Sequence, residues 1–174
     1  MSTARNAASR SAAKSNDALA LLTKDHKEVS KLFKAYEKLA KDEADGSVRL
    51  ETAQQICAML TAHATVEEEL FYPALREAIE ADDLLDEAQV EHASVKDLIA
   101  QIEAMDPDDD LYDAKVTVLG EYVAHHVKEE ESEIFPKASK AKEFDLVELG
   151  TRLKERKEQL VAATQSPASQ EEQA

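Results

Sequence analysis

The stretch HATVEEELFYP, residues 63–73, returns later in the chain as HVKEEESEIFP, residues 126–136. In each copy a His is followed by a Glu four residues on and a Pro ten residues on, in a chain with only five histidines. Residues at i and i+4 of an α-helix stand one above the other, so each copy aims an imidazole and a carboxylate in one direction. What that direction is depends on where the apolar residues fall.

Around both stretches apolar residues recur at spacings of three and four, the mark of helices with one buried face, and strand-like alternation is absent. A first helix is expected from a cap at Ser15 or Asn16 to about Asp42, with Leu19, Leu22, Val29, Phe33 and Tyr36 on a stripe that includes His26. A second runs from about Ser47 to Phe71, with Ile56, Leu60 and Leu70 inward, His63 and Glu67 on the same face, and Pro73 ending or kinking it. The third, from about Asp83 to Ala104, buries Leu85, Ala88, Val95, Ile99 and Ile102 and centres on His92. The fourth takes Asp106 as cap and Pro107 as first helical residue and runs to about Ser139. Its Tyr112, Val116, Leu119, Val123 and Ile134 are in phase with His126 and Glu130. A shorter amphipathic helix, about Phe144 to Ala163, carries Leu146, Leu149, Leu153 and Leu160, with Gly150 counting against its continuity.

Long helices with short connections predict an all-α, up-down-up-down four-helix bundle with a short extra C-terminal helix. Residues 17–163 are expected to form this one domain, between disordered tails at 1–16 and 164–174. The N-terminal tail is basic and free of acid, a composition compatible with organelle targeting, and it lacks the apolar segment of a secretory signal. The expected location is otherwise cytoplasmic. "DHKEVSKL" at 25–32 parallels "EHASVKDL" at 91–98, each followed by a His-x-x-x-Glu helix. The chain therefore reads as two helix pairs related by a pseudo-twofold axis, which is why the opening stretch returns.

Composition narrows the partners. Of 174 residues, 21 are Lys or Arg and 37 are Asp or Glu, a formal net charge of −16 that repels phosphate backbones and anionic lipid, so neither nucleic acid nor membrane is expected. No apolar run approaches the roughly 20 residues needed to cross a bilayer. The single cysteine, Cys57, cannot build a disulfide framework or a thiolate metal site and reads as a small core residue.

Four helices each place a His on the inner face, and two add a Glu. Four imidazoles and two carboxylates in one core are costly without a partner, and a metal is one. Two bridging Glu would leave His26 and His63 for one ion and His92 and His126 for the other. Imidazole and carboxylate without thiolate suit iron, manganese or zinc, and a bridged pair with open positions suits non-haem iron best. A single structural zinc, or satisfied core histidines without metal, are the alternatives. His125, rotated about 100° from the inner stripe, reads as surface or as a support to the ligands. Glu68, Glu69, Glu129 and Glu131 read as a solvated face. The Asp106, Asp108, Asp110 run fails as a calcium loop because Leu111 and Thr117 stand where its Gly and Glu belong. A ferritin-type site needs Glu-x-x-His, and no histidine here has that Glu.

From about Leu19 to Lys140 the pattern of His26, His63 with Glu67, His92, and His126 with Glu130, together with the FYP and IFP endings, resembles the hemerythrin-like HHE cation-binding family. The resemblance implies a hemerythrin-like bundle with His26, His63, Glu67, His92, His126 and Glu130 as ligands to two iron ions, a non-haem di-iron pair able to carry an oxo or hydroxo bridge. It implies a small ligand such as oxygen, peroxide or nitric oxide, in stress response, iron handling or sensing. The family's oxygen carriers bring two histidines four apart on the third helix, whereas here Lys96 follows His92 at that spacing. Oxygen carriage is therefore not the implied role. A metal-dependent binding or signalling module and a peroxide-removing enzyme are compatible with the same ligand set.

Overall fold

The structure is a computed structural model that describes residues 17–142 and 144–164. Of the tails expected at 1–16 and 164–174, residues 1–16 and 165–174 lie outside the described residues, as does the N-terminal targeting question, while Thr164 ends the last helix. The described residues form helices and connecting turns without a strand: α1 (Ala18–Lys41), α2 (Gly46–Val66), α3 (Tyr72–Ala78), α4 (Asp82–Glu103), α5 (Tyr112–Glu129), α6 (Phe135–Ala138) and α7 (Leu146–Thr164). A five-residue π-helical turn, Glu67–Phe71, joins α2 to α3, and a second, Glu130–Ile134, joins α5 to α6. The four rods α1, α2–α3, α4 and α5–α6 make the up-down-up-down bundle. α7 lies against α1, α2 and the first π turn. None of these helices is long and apolar enough to cross a membrane.

Several boundaries differ from the sequence-based expectation, each for a local reason. The cap of α1 is Asp17, whose side chain accepts from the Ala20 amide at 2.9 Å, rather than Ser15 or Asn16. Pro73 does not end its helix. The Tyr72 amide donates to Glu67 O, five residues back, and the widened turn lets the chain continue through a residue that has no N–H to give. Phe135 repeats this on Glu130 O ahead of Pro136. The fourth helix starts at Tyr112, five residues after Pro107, because the acids before it serve turns instead. Asp106 accepts from the Asp108 amide and Asp109 from the Asp106 amide, each at 3.0 Å, and Arg49 of α2 pins the turn through Pro107 O and the carboxylates of Asp108 and Asp113. Gly150 lies inside an unbroken α7.

The core has two apolar parts. One gathers Leu22, Phe71, Leu75, Leu85, Ile134 and Leu153, and so draws on α7 as well as the bundle. The other gathers Val29, Tyr36, Ile56, Ile99, Tyr112 and Leu119 at the far end. A buried side chain of this size contributes roughly 1.5–3 kcal/mol, so the two clusters can carry a costly polar layer between them. Cys57 is a buried core residue whose thiol burial pushes up to about 12. The polar layer is where the repeated His and Glu residues stand.

Candidate metal centre

His26, His63, Glu67, His92, His126 and Glu130 are all buried, and the two Glu side chains are fully so. The structure brings them into two adjacent groups, His26, His63, Glu67 and Glu130 in one and Glu67, His92 and His126 in the other. Glu67 belongs to both: its Oε1 is 3.1 Å from His63 Nε2 and its Oε2 is 3.4 Å from His92 Nε2. Glu130 Oε2 is 3.2 Å from His26 Nε2 and 4.0 Å from His126 Nε2.

Each imidazole is held from behind by a carboxylate on Nδ1. His26 meets Glu131 at 2.8 Å, His63 meets Asp25 at 3.3 Å, His92 meets Glu68 at 3.1 Å and His126 meets Glu91 at 2.7 Å. These four acids follow the duplication: Asp25 and Glu91 precede the single histidines, and Glu68 and Glu131 follow the shared glutamates. Glu68 and Glu131, expected on a solvated face, thus orient the rings. The signal that could have found them is their equivalent place in the two copies, one residue after the inner Glu on the edge of the same face.

This arrangement fixes the protons. A carboxylate only accepts, so each Nδ1 carries a hydrogen, and a ring without a second proton turns a bare Nε2 lone pair inward. Yet His26 Nε2 lies 3.2 Å from His63 Nε2, and His92 Nε2 lies 3.1 Å from His126 Nε2. Two lone pairs at that distance repel unless a cation lies between or beside them. Both oxygens of Glu67 and Oε2 of Glu130 are buried without a hydrogen-bond donor. Four nitrogen and three oxygen lone-pair donors converging in a dry layer are a donor set that a pair of cations satisfies.

The protonation pattern without metal points the same way. Burial works against charging His63, but Glu67, Asp25 and Glu130 outweigh it and push it up to about 10. His26 is also raised, against its burial, through Glu130. His92 is lowered, by burial and by His126 beside it, although Glu67 opposes this. Despite burial, His63 and the neighbouring imidazoles hold Glu67 far below the usual carboxylate range, while burial and the Glu67 charge raise Glu130. Protons on the imidazoles take the role that metal cations would fill.

Two aromatic rings close the layer, at equivalent places in the two copies. Phe135 stacks on His26 with centroids 5.8 Å apart and planes at 8°, and Tyr72 lies over His92 at 5.6 Å. Only Tyr72 brings a hydroxyl, which donates to Glu130 Oε1 at 3.2 Å and stands 3.5 Å from His92 Nε2. Burial, then Glu67 and Glu130, raise its pKa well above the usual value, so it keeps its proton. The comparison of FYP with IFP marks this difference in the sequence. On the other side of the imidazoles is a cavity of about 20 Å³ walled by Val29, Leu60, Val95 and Val123. Its exposed lining is apolar, and it is of about the size of a single small molecule.

Lys96 stays outside: its Nζ bonds both oxygens of Glu68, at 2.7 and 2.6 Å. His125 is on the surface, its side chain 63% exposed, facing Glu129 at 3.3 Å and Glu91 at 3.5 Å.

Residues 17–138 match the family model described as the hemerythrin HHE cation-binding domain. Among solved structures, a hemerythrin HHE cation-binding domain-containing protein of Mycobacterium kansasii has the same fold, with a TM-score of 0.69 over 84% of this chain and 88% of that one at 24% identity. A curated DNA nickase of Nostoc sp. (strain PCC 7120) is 38% identical over 81 residues, 47% of this chain and 23% of the nickase. This chain therefore spans less than a quarter of that relative.

Proposed function

Since the chain belongs to the hemerythrin HHE cation-binding domain family, we propose that His26, His63, Glu67, His92, His126 and Glu130 hold two iron ions as a non-haem di-iron pair. The observation that carries this reading is the convergence of four imidazole Nε2 atoms and three orphaned carboxylate oxygens on two groups that share Glu67. Sharing favours two ions over one structural metal. The thiolate-free, imidazole and carboxylate set favours iron among the candidates.

When bound, a ferrous pair would supply two electrons to a small oxidant or take up a small neutral ligand, and we propose oxygen, peroxide or nitric oxide in stress response, iron handling or sensing. The chain's own residues prepare for that. Glu131, Asp25, Glu68 and Glu91 lock the four rings with Nε2 inward. Val29, Leu60, Val95 and Val123 give the adjoining cavity an apolar wall. The Tyr72 hydroxyl, 3.2 Å from Glu130 Oε1 and 3.5 Å from His92 Nε2, keeps a hydrogen-bond donor beside the layer, where it would steady a bound small ligand. Lys96, committed to Glu68, leaves the His92 side one imidazole short of a carrier's ligand set. The net charge of −16 argues for a small ligand and against nucleic acid or membrane. The likeness to the nickase is confined to 23% of that protein and does not favour a DNA reading. A cytoplasmic location is part of this proposal.

The test is to reduce the iron-loaded protein without air, admit oxygen, and follow the visible spectrum while the gas is cycled. Lasting conversion to a ferric spectrum, with added peroxide consumed, is expected. A spectrum that reverts under vacuum and returns with oxygen would make the protein a carrier. Ligand assignment has its own test in two adjacent residues: His125→Ala should leave the metal content intact, whereas His126→Ala should remove at least the ion it faces. Elemental analysis of the two variants decides, and the reverse ranking would reject the assignment of helix face.

A further inference from the structure

The four carboxylates behind the imidazoles are not equally charged by their surroundings. Glu68, which holds His92, is neutralised by Lys96, a residue of α4 and so part of the duplicated bundle. The position equivalent to Lys96 in α1 is Ser30, so the duplication offers the first group no such lysine. A lysine arrives there from elsewhere. Lys157 of α7, outside the repeat, places its Nζ 2.5 Å from Asp25 Oδ1, while Asp25 Oδ2 faces His63 Nδ1 at 3.3 Å. Asp25 is 8% exposed, and each of its oxygens has one partner. Next along α7, Arg156 clasps Glu69 of the first π turn at 2.7 and 3.0 Å, and Leu149 and Leu153 seat the helix in the core. The helix therefore presents Lys157 at a fixed place.

We propose that Lys157 is a positioning residue for the metal centre: acting through Asp25, it limits how strongly His63 donates to its ion, as Lys96 does for His92 through Glu68. A carboxylate that shares its charge with an ammonium is a weaker acceptor for the imidazole N–H, and an imidazole whose N–H is held less strongly is a poorer electron donor at Nε2. Each group of ligands thus has one lysine-backed imidazole, though not at equivalent rings: the counterpart of Glu68 is Glu131, behind His26, whereas α7 brings its lysine to Asp25, behind His63. The inference rests on the metal-binding reading of His63, and not on which metal is bound.

The test uses the full chain loaded with zinc, which is diamagnetic, and compares Lys157→Met with Lys157→Arg. With the cation gone, the Nδ1 proton resonance of His63 should move downfield while those of His26, His92 and His126 stay, and Lys157→Arg should restore it. In the iron-loaded chain the same Lys157→Met change should lower the midpoint potential. An unmoved His63 proton and an unchanged potential, with Leu149 and Leu153 amides still protected from exchange, would overturn the proposal. If Lys157→Met loosens α7, Arg156→Met is the control: a His63 shift of the same size from that variant would also overturn it, and a shift confined to Lys157→Met would uphold it. A wild-type chain that takes up neither metal would sink the metal reading and this proposal together, which separates that failure from an unmoved proton in a loaded chain.

Discussion

Glu67→Ala is expected to take the chain from two bound ions to none, whereas His92→Ala should remove one. The difference follows from one carboxylate with its two oxygens 3.1 and 3.4 Å from imidazoles of different groups, so that both groups lose a ligand and the shared anion at once. Because Glu67 is fully buried, a deletion also leaves a cavity, at a cost of the order of 2–5 kcal/mol for a side chain of this size. Glu67→Gln keeps the volume and is the cleaner variant. Its thermal midpoint should not move when iron is added, while that of the unaltered chain should rise. Elemental analysis beside paired melting curves reads both effects, and a Glu67→Gln chain that keeps one tightly bound ion would mean that the two groups are independent sites.

Stripping the metal from the unaltered chain is expected to lower its melting temperature by well over about 10 °C. A ligand that binds only the folded state, present at about 1,000 times its Kd, stabilises it by about 4 kcal/mol per site, and for a chain of this size each kcal/mol is worth about 2–4 °C. The loss should also depend on pH. In the metal-free chain His63 has its pKa raised to about 10 from an ordinary 6.5. The folded state therefore binds that proton more tightly than the unfolded state. The stabilisation is fully present below about 6.5 and is lost as pH rises through about 10. Glu67, held below its ordinary value, has the opposite sense: its contribution is present above about 4.5 and fades as the solution turns acid. Chelated protein should thus lose stability between about pH 7 and 10, a slope that should be absent from the loaded protein, where the proposed metal would occupy His63 Nε2. Thermal melts across that range, with and without chelator, check both halves. Coincident curves would leave the buried charges without the partner proposed for them.

The apolar stripes that include His26, His63, His92 and His126 were legible as a bundle because a spacing of three and four leaves one buried face. The chain turns that face into a shared layer, with Glu67 and Glu130 among the most deeply buried side chains. Less legible were features set by tertiary contacts. Glu68 and Glu131 look like solvated acids along their own helices, and only the histidines of neighbouring helices give them their role. Pro73 looks like a stop or a kink, yet the π turn that absorbs it begins at Glu67, just as the one ahead of Pro136 begins at Glu130. Asp106, which reads as a helix cap, is claimed by the Asp108 amide of a turn instead. Lys157 could not be placed near His63 from a helix 132 residues after Asp25.

Metal content decides whether the buried layer is a paired metal centre. Full-length chain purified gently from iron-supplied cells and subjected to elemental analysis should contain close to two irons per molecule. One zinc, a single ion of any kind, or no metal at all would contradict it.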